Sequence, residues 1–596
     1  MRGAPPFRPE YATVLEMLAA AAGTDTSLFF VDRRERDHQV PMARVRDRAM
    51  SIAAELMSRG VRKGDRVALV LPTSPEFVEC LFGVLCAGAI PVPLYPPVRL
   101  GRLDEYHAKT AAMLRSVSAT IVITDDRIRR FLGPAVAQAA PRLGCVTAAA
   151  LDGFNSVAIG SAPEDVALIQ FSSGTTSDPK PVALTHTNLL ANLASIARYL
   201  TEDGGPHQVG VTWLPLYHDM GLIGNLLSAF YMASPLVLLP PELFVARPGA
   251  WLRAISRHRG TVTAAPNFAF GLCLKRIRDD ELDGVDLSSW RVSLNGAEQV
   301  SAATQRRFAQ RFARWGLREW SLTPCYGMAE AALAVTFKPA GTSFRTLGVD
   351  ADRLGRDGVA TPGPKELVSV GRPLAGVEVE IRDTAGTPLP DGRVGRILIR
   401  GRSVMAGYFG RTDLTDQAIH DGWLDSGDLG FVLGGELYVC GRAKDIIVVR
   451  GANHPPEEFE AALEALPGVR TGCAVAVGFV PAGHEDEALA MLVETAANPP
   501  ATLADDVAAR VEERTGIRPA RVQLLAPGTL PRTSSGKLRR REALSQWMSG
   551  TLSAPKKVTA TRMLAAAAHG ELAHARARFT RRGDTRPALT PTHGGR

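Results

Sequence analysis

Cysteine is scarce: seven in 596 residues, at positions 80, 86, 145, 273, 325, 440 and 473. No two stand in a CxxC pair or at metal-ligand spacing, which excludes a disulfide framework and a cysteine metal centre. They read as reduced, mostly buried thiols of a cytoplasmic protein. No stretch approaches the roughly 20 uncharged apolar residues of a membrane helix. The opening MRGAPPFRPEYATV lacks the apolar core of a secretory signal, so no export is expected. Tandem repeats at solenoid periods are absent, as is the GxxxxGK[ST] order of the common nucleotide loop. The body has almost no net charge. The chain totals +8, but nine Lys/Arg against two Asp/Glu after Met548 put +7 in the tail and leave the first 548 residues at +1. That distribution argues against nucleic acid as a partner. The tail, residues 548–596, reads as basic and disordered apart from a short helix near Met563 to Arg578.

At this length at least two domains are expected. In the first 165 residues, helical runs such as ARVRDRAMSIAAELMSRGV alternate with apolar strands such as KGDRVALVLP and ATIVITDD. ALIQFSSG, GVTWLPL, SPLVLLP and GTVTAAP continue the pattern, which predicts an α/β fold with a largely parallel, helix-covered sheet. Ligands of such sheets lie beyond the carboxyl ends of the strands. After Glu366 the runs VEVEIRD, VGRILIRG, GELYVCG and DIIVVRG predict an antiparallel β-subdomain. A smaller α+β unit begins near Asp445, giving expected domains 1–443, 444–547 and the tail.

Ten residues, FSSGTTSDPK from Phe171 to Lys180, follow the strand ALIQF and precede the helix THTNLLANLASIARYL. Ser172, Ser173, Thr175 and Thr176 supply hydroxyls, Gly174 lets backbone approach, and Lys180 adds a compact charge, as phosphate requires. SLNGAEQV (293–300) and TPCYGMAEAAL (323–333) also follow strands and should open onto the same sheet face. Glu330 can ligate a hard cation and Tyr326 offers a flat face for a base. Asp428, in a tight Ser-Gly-Asp-Leu-Gly turn, can accept both hydroxyls of a ribose, with Arg442 beside it from the following turn. Lys537, on the glycine-containing loop of PRTSSGKLRRREAL, can reach a site from a mobile position. Each feature alone equally suits a polar loop, a buried tyrosine, a hairpin turn or a basic helix start.

Together, in this order and spacing, the four motifs resemble the adenylate-forming superfamily over about residues 10–547. The runs VPLYPPVRLGRLDEY, TWLPLYHDMGLIGNLL, AAPNFAFGLC, DLSSWRVSLNGAEQV, PCYGMAEAALAV and GRAKDIIVVRGANHPPEEFE are most similar to fatty acyl-AMP ligases. The resemblance implies that ATP is held by Ser173, Gly174, Thr175, Thr176 and Lys180 at the outer phosphates. It implies Gly296, Ala297, Glu298, Tyr326, Gly327 and Met328 around adenine, and Asp428 and Arg442 on ribose. Mg2+ falls to Glu330 and Thr176, the bridging cation is Lys537, and Lys444 is the interdomain hinge. His218 and Asp219 stand at the mouth of an acyl tunnel lined by Phe268, Phe270 and Gly271. An insertion at about 336–366 is implied to restrict domain movement and disfavour CoA. The implied acceptor is the phosphopantetheine thiol of an acyl carrier protein or polyketide or peptide synthase, acting in trans.

Two departures stand out. Pro181 follows Lys180 where the superfamily usually has glycine, which removes an N–H and fixes φ, and VRGANHPP replaces the usual GGxNIxP. The runner-up is an acyl-CoA synthetase of the same fold. A phosphoryl-transfer NTPase would instead release ADP and orthophosphate, and a non-catalytic carrier-binding module would have no use for Lys537, Glu330 and Asp428.

Overall fold

The structure is a computed structural model. It describes the chain except residues 7, 98–99, 154–155, 173–178, 203–207, 465, 482, 485, 534–535, 557 and 584–596, and the side chains from 576 onward. The chain forms two compact units: residues 1–48, 72–75 and 160–555, and residues 49–71, 76–159 and 556–596.

The first unit is built on a nine-stranded sheet. Its order is Arg372–Pro373, Ala334–Phe337, Leu322–Gly327, Val292–Asn295, Val262–Ala265, Gly210–Thr212, Leu236–Leu238, Ser27–Val31, Asp37–Pro41. The six strands from Leu322–Gly327 to Ser27–Val31 are parallel, and the flanking ones antiparallel. Short apolar strands such as VSLN and LVL are buried along their whole length, as a sheet covered on both faces requires. The carboxyl ends of four parallel strands lead into Trp213–His218, Pro266–Gly271, Gly296–Glu298 and Met328–Glu330, which places these segments at the usual ligand edge.

One expected strand lies elsewhere. Val166–Phe171 pairs antiparallel with Pro181–Thr185, which pairs with Gly407–Tyr408. The strands that flank the serine/threonine stretch therefore belong to a small separate sheet and not to the parallel one. A second correction concerns Asp428. It sits inside an eleven-residue strand, Trp423–Leu433, of a five-stranded antiparallel sheet. Gly427 at φ +78° and a register shift between Leu429 and Gly430 absorb the residues that look like a turn. Arg442 ends the neighbouring strand Glu436–Arg442, directly opposite Asp428.

The C-terminal segment of this unit has its own sheet, Val469–Phe479, Ala488–Thr495 and Arg521–Leu525, with a core on each face. Ile447 and Val449 belong to one of these cores, so DIIVVRG pairs with Ala452–His454 and not with the β-subdomain.

The second unit has a four-stranded parallel sheet, Ile90–Pro93, Arg66–Val70, Ile121–Thr124 and Cys145–Thr147. In the tail the helix expected near Met563 to Arg578 is longer and packed, while residues 584–596 lie outside the described residues. Residues Ala560–Gly583 form one helix packed on the helix Asp126–Ala139. At their crossing a Cβ on Gly570 would lie 1.8 Å from the Arg130 carbonyl oxygen, and one on Gly133 2.0 Å from that of Gly570. A mid-helix glycine weakens a helix by about 1 kcal/mol relative to alanine; here it permits backbone contact. His574 Nε2 reaches the Arg129 carbonyl at 2.9 Å. No helix among the described residues is long and apolar enough to cross a membrane, and none of the seven cysteines is disulfide-bonded.

Candidate active site

The base of the serine/threonine loop is pinned by its own backbone. Ser172 N–H donates to the Lys180 carbonyl at 2.9 Å, and Lys180 N–H to Ser172 Oγ at 3.3 Å. Ser173, Gly174, Thr175 and Thr176 lie outside the described residues. Pro181 is the first residue of its strand, a position that tolerates proline, and its carbonyl accepts from Phe409 N–H at 2.8 Å. The unusual Lys-Pro ending is thus built into the start of the central strand of this three-stranded sheet. Burial draws the Lys180 ammonium below the ordinary lysine range. Glu330 opposes this, while Lys444, Arg442 and Arg411 reinforce it.

Beyond the parallel strands, sterics dictate residue choice. A Cβ on Gly296 would meet Cys325 Sγ at 2.8 Å and one on Gly327 the Leu333 carbonyl at 1.9 Å. Ala297 takes the left-handed region at φ +68°, uncommon for a residue with a Cβ. Glu298 Oε1 accepts from Phe268 N–H at 2.5 Å, and burial raises its carboxyl. Met328 N–H closes the turn on the Leu333 carbonyl at 2.8 Å.

Tyr326 Oη donates to Asp428 Oδ2 at 2.7 Å, while Arg442 Nε lies 3.3 Å from Oδ1. Burial pushes the Asp428 carboxyl up, against the opposing pull of Arg442, Tyr326 and Lys537. Glu330 is 8% exposed. Burial raises its carboxyl too, and its own backbone, the Tyr408 hydroxyl, Arg442 and Lys180 offset this only in part. Among the described residues no three His, Cys, Asp or Glu side chains gather as a metal site.

His218 Nδ1 and Asp219 Oδ1 are 2.6 Å apart, and His218 caps the short helix Asp219–Gly221. Burial pulls Asp219 upward, but His218 and then Lys537 bring it net below the ordinary carboxylate. The Lys537 loop is held by Thr533 N–H to the Lys537 carbonyl at 2.7 Å and Arg532 Nη1 to the Gly536 carbonyl at 2.7 Å. Desolvation lowers the Lys537 ammonium. Asp219 counters this most strongly, followed by Glu298 and Asp428. The charges of Asp219, Glu298 and Asp428 thus all act on this one cation. The Lys444 carbonyl accepts from Arg541 Nη2 at 2.8 Å.

The tunnel candidates separate. Phe270 is fully buried, with ring centroids 5.0 Å from Phe308 and 6.2 Å from Trp251, so it belongs to the aromatic core. Phe268 is 42% exposed beside Trp213. A Cβ on Gly271 would meet nothing within 4 Å, so open space adjoins it. Sequence reasoning missed Tyr408, whose hydroxyl donates to Glu330 Oε1 at 3.0 Å and whose ring lies 4.7 Å beneath the Lys180 ammonium. Its signal was a Gly-Tyr pair in VMAGYFG, too short to read as a strand.

The family model described as AMP-binding enzyme matches residues 18–409. A Caulobacter vibrioides protein with a provisional acyl-CoA synthetase name is 34% identical, over 91% of this chain and 96% of that protein. The medium-chain-fatty-acid [acyl-carrier-protein] ligase JamA of Moorena producens is 30% identical, over 91% and 96%. A solved structure from work on fatty acyl-adenylate ligases of E. coli and L. pneumophila superposes with a TM-score of 0.85 at 36% identity, over 92% of this chain and 99% of that one.

Proposed function

The chain belongs to the AMP-binding enzyme family, and from that premise we propose that it is a ligase joining a fatty acid to AMP and passing the acyl group to a carrier-bound thiol. A carboxylate is a poor acyl donor because hydroxide leaves badly, so it is activated first. One carboxylate oxygen attacks the α-phosphorus of ATP, the bond from that phosphorus to the bridging oxygen breaks, and pyrophosphate leaves. A thiol then attacks the acyl carbon, loses its proton and expels AMP. Two anions must meet in line, so positioning and charge neutralisation carry the catalysis. The observation that carries this reading is the cluster in which Tyr326 and Arg442 hold the Asp428 carboxylate at 2.7 and 3.3 Å, close enough to Lys537 for their charges to act on one another.

In this reading Asp428 and Arg442 hold the ribose, with Tyr326 fixing the carboxylate, and Gly296 to Glu298 with Tyr326 to Met328 frame adenine. Lys180 and Ser173 to Thr176 grip the outer phosphates. Lys537 spans the acyl carboxylate and the α-phosphate. A buried carboxylate, a hydroxyl and substrate phosphates are the donor set that suits Mg2+, and the incompletely compensated Glu330 fits it; Glu330 with Thr176 would hold the ion, which supplies charge neutralisation when bound. His218 and Asp219 stand at the acyl entrance, with Phe268 and Gly271 beyond.

Residues 444–547 act as a lid turning about Lys444, which withdraws Lys537 and admits the thiol. The inserted hairpin Thr346–Val349 with Lys365–Val368 packs on Phe431 and Tyr438, and Lys365 pairs with Glu458 of the C-terminal segment. Such ties support an acceptor other than free CoA, an acyl carrier protein or a synthase acting in trans. Reduced cysteines support a cytoplasmic setting.

Mass spectrometry of products from a fatty-acid panel with ATP and Mg2+, with and without CoA, tests the proposal. Acyl-AMP, AMP and pyrophosphate are expected, without prompt acyl-CoA. Rapid acyl-CoA formation would support the runner-up instead, and ADP with orthophosphate would end the adenylation reading.

A further inference from the structure

We propose that Tyr408 is a positioning residue that locks the Glu330 carboxylate and the Lys180 ammonium into one unit. This rests on the adenylate-forming reading of the site, but its geometry stands independently. Tyr408 is 6% exposed and Glu330 8%. The hydroxyl donates to Oε1 of Glu330 at 3.0 Å, which fixes the rotation of the carboxylate; Oε2 would then be the oxygen offered to a cation. The ring face lies 4.7 Å from Lys180 Nζ, within the range of a cation–π contact.

The backbone around Tyr408 is attached to both partners. Met405 N–H donates to the Glu330 carbonyl at 2.8 Å, Ala406 N–H to Ala183 at 3.1 Å and Phe409 N–H to Pro181 at 2.8 Å. Tyr408 is the register partner of Val182 and Gly407 that of Ala183. Thr415 Oγ1 accepts the Tyr408 N–H at 2.9 Å. A side chain at Gly407 is excluded twice, by φ +147° and by Thr415 only 2.9 Å from a Cβ. The segment 405–409 is therefore a brace: one end on the Glu330 turn, the other on the exit of the phosphate loop, with one side chain spanning both.

Two substitutions separate the contacts. Tyr408→Phe keeps the ring and removes the hydroxyl; Tyr408→Leu removes both. Titrating Mg2+ calorimetrically into the full-length protein with α,β-methylene-ATP reads the carboxylate without turnover. Pyrophosphate release gives KM and kcat. For Tyr408→Phe, Mg2+ affinity should fall about tenfold, the size of one lost hydrogen bond to a charged group, while kcat at saturating Mg2+ and ATP falls less than about threefold. Tyr408→Leu should lose the same Mg2+ affinity and in addition raise the ATP KM about tenfold, because Lys180 loses its seat.

Unchanged Mg2+ affinity in Tyr408→Phe overturns the proposal, as do identical profiles for the two variants. If the wild-type protein proves not to form adenylate, the calorimetric arm still decides the role of Tyr408.

Discussion

At the scale of single residues, Lys537 carries the sharpest consequence. Burial lowers its ammonium, and Asp219, Glu298 and Asp428 restore the charge only in part. An ammonium with a lowered pKa is charged below that value and loses its proton as pH rises through it. The kcat/KM for adenylate formation should therefore fall at a pH below the ordinary lysine value of about 10.4. Lys537→Arg, whose guanidinium keeps its charge, should be slower but lack that alkaline limb. An identical limb in both enzymes would refute the assignment. Lys537→Ala should lower adenylate formation about 10²-fold. The residue types at these positions were legible because the phosphate, ribose and hard cation of the proposed reading would each demand particular groups. Their mutual distances were not, since Tyr326 and Asp428 lie 102 residues apart.

Among elements, the terminal helix shows what local sequence omits. Its alanines and arginines resemble a solvated tail, and the contact that stabilises it lies at Gly133, remote along the chain. Gly570→Leu places a side chain where the Arg130 carbonyl stands, so the helix should detach. Limited proteolysis should then cleave within 556–583 at least tenfold faster than in wild type, a loss of docking worth roughly 1.4 kcal/mol or more. Adenylate formation, which uses none of these residues, should change less than about twofold; equal cleavage rates would contradict the docking.

The helix Asn267–Arg276 after the strand Val262–Ala265 makes a second contrast. Phe270→Ala should cost about 3–5 kcal/mol in denaturant unfolding, whereas Phe268→Ala, at an exposed site, should cost under about 1 kcal/mol. The parallel strands were legible as apolar runs between helical ones. The Asp428 strand was not, because Ser-Gly-Asp-Leu-Gly has turn residues that only pairing across Glu436–Arg442 makes extended. The loop strand Val166–Phe171 read correctly as a strand, but apolarity does not name its partner.

For the whole molecule, four motifs spread from Phe171 to Lys537 acquire meaning only together. The same-family comparisons span most of the chain, and the β-subdomain, the parallel sheet and the C-terminal segment bring their loops to one place. The central claim is that a carboxylate oxygen becomes bonded to the α-phosphorus. Fatty acid labelled with 18O in both carboxylate oxygens tests it directly, with ATP, Mg2+ and a phosphopantetheinylated carrier. After acyl transfer, mass spectrometry should find one 18O in each AMP released. Unlabelled AMP, or ADP as the nucleotide product, would contradict the account.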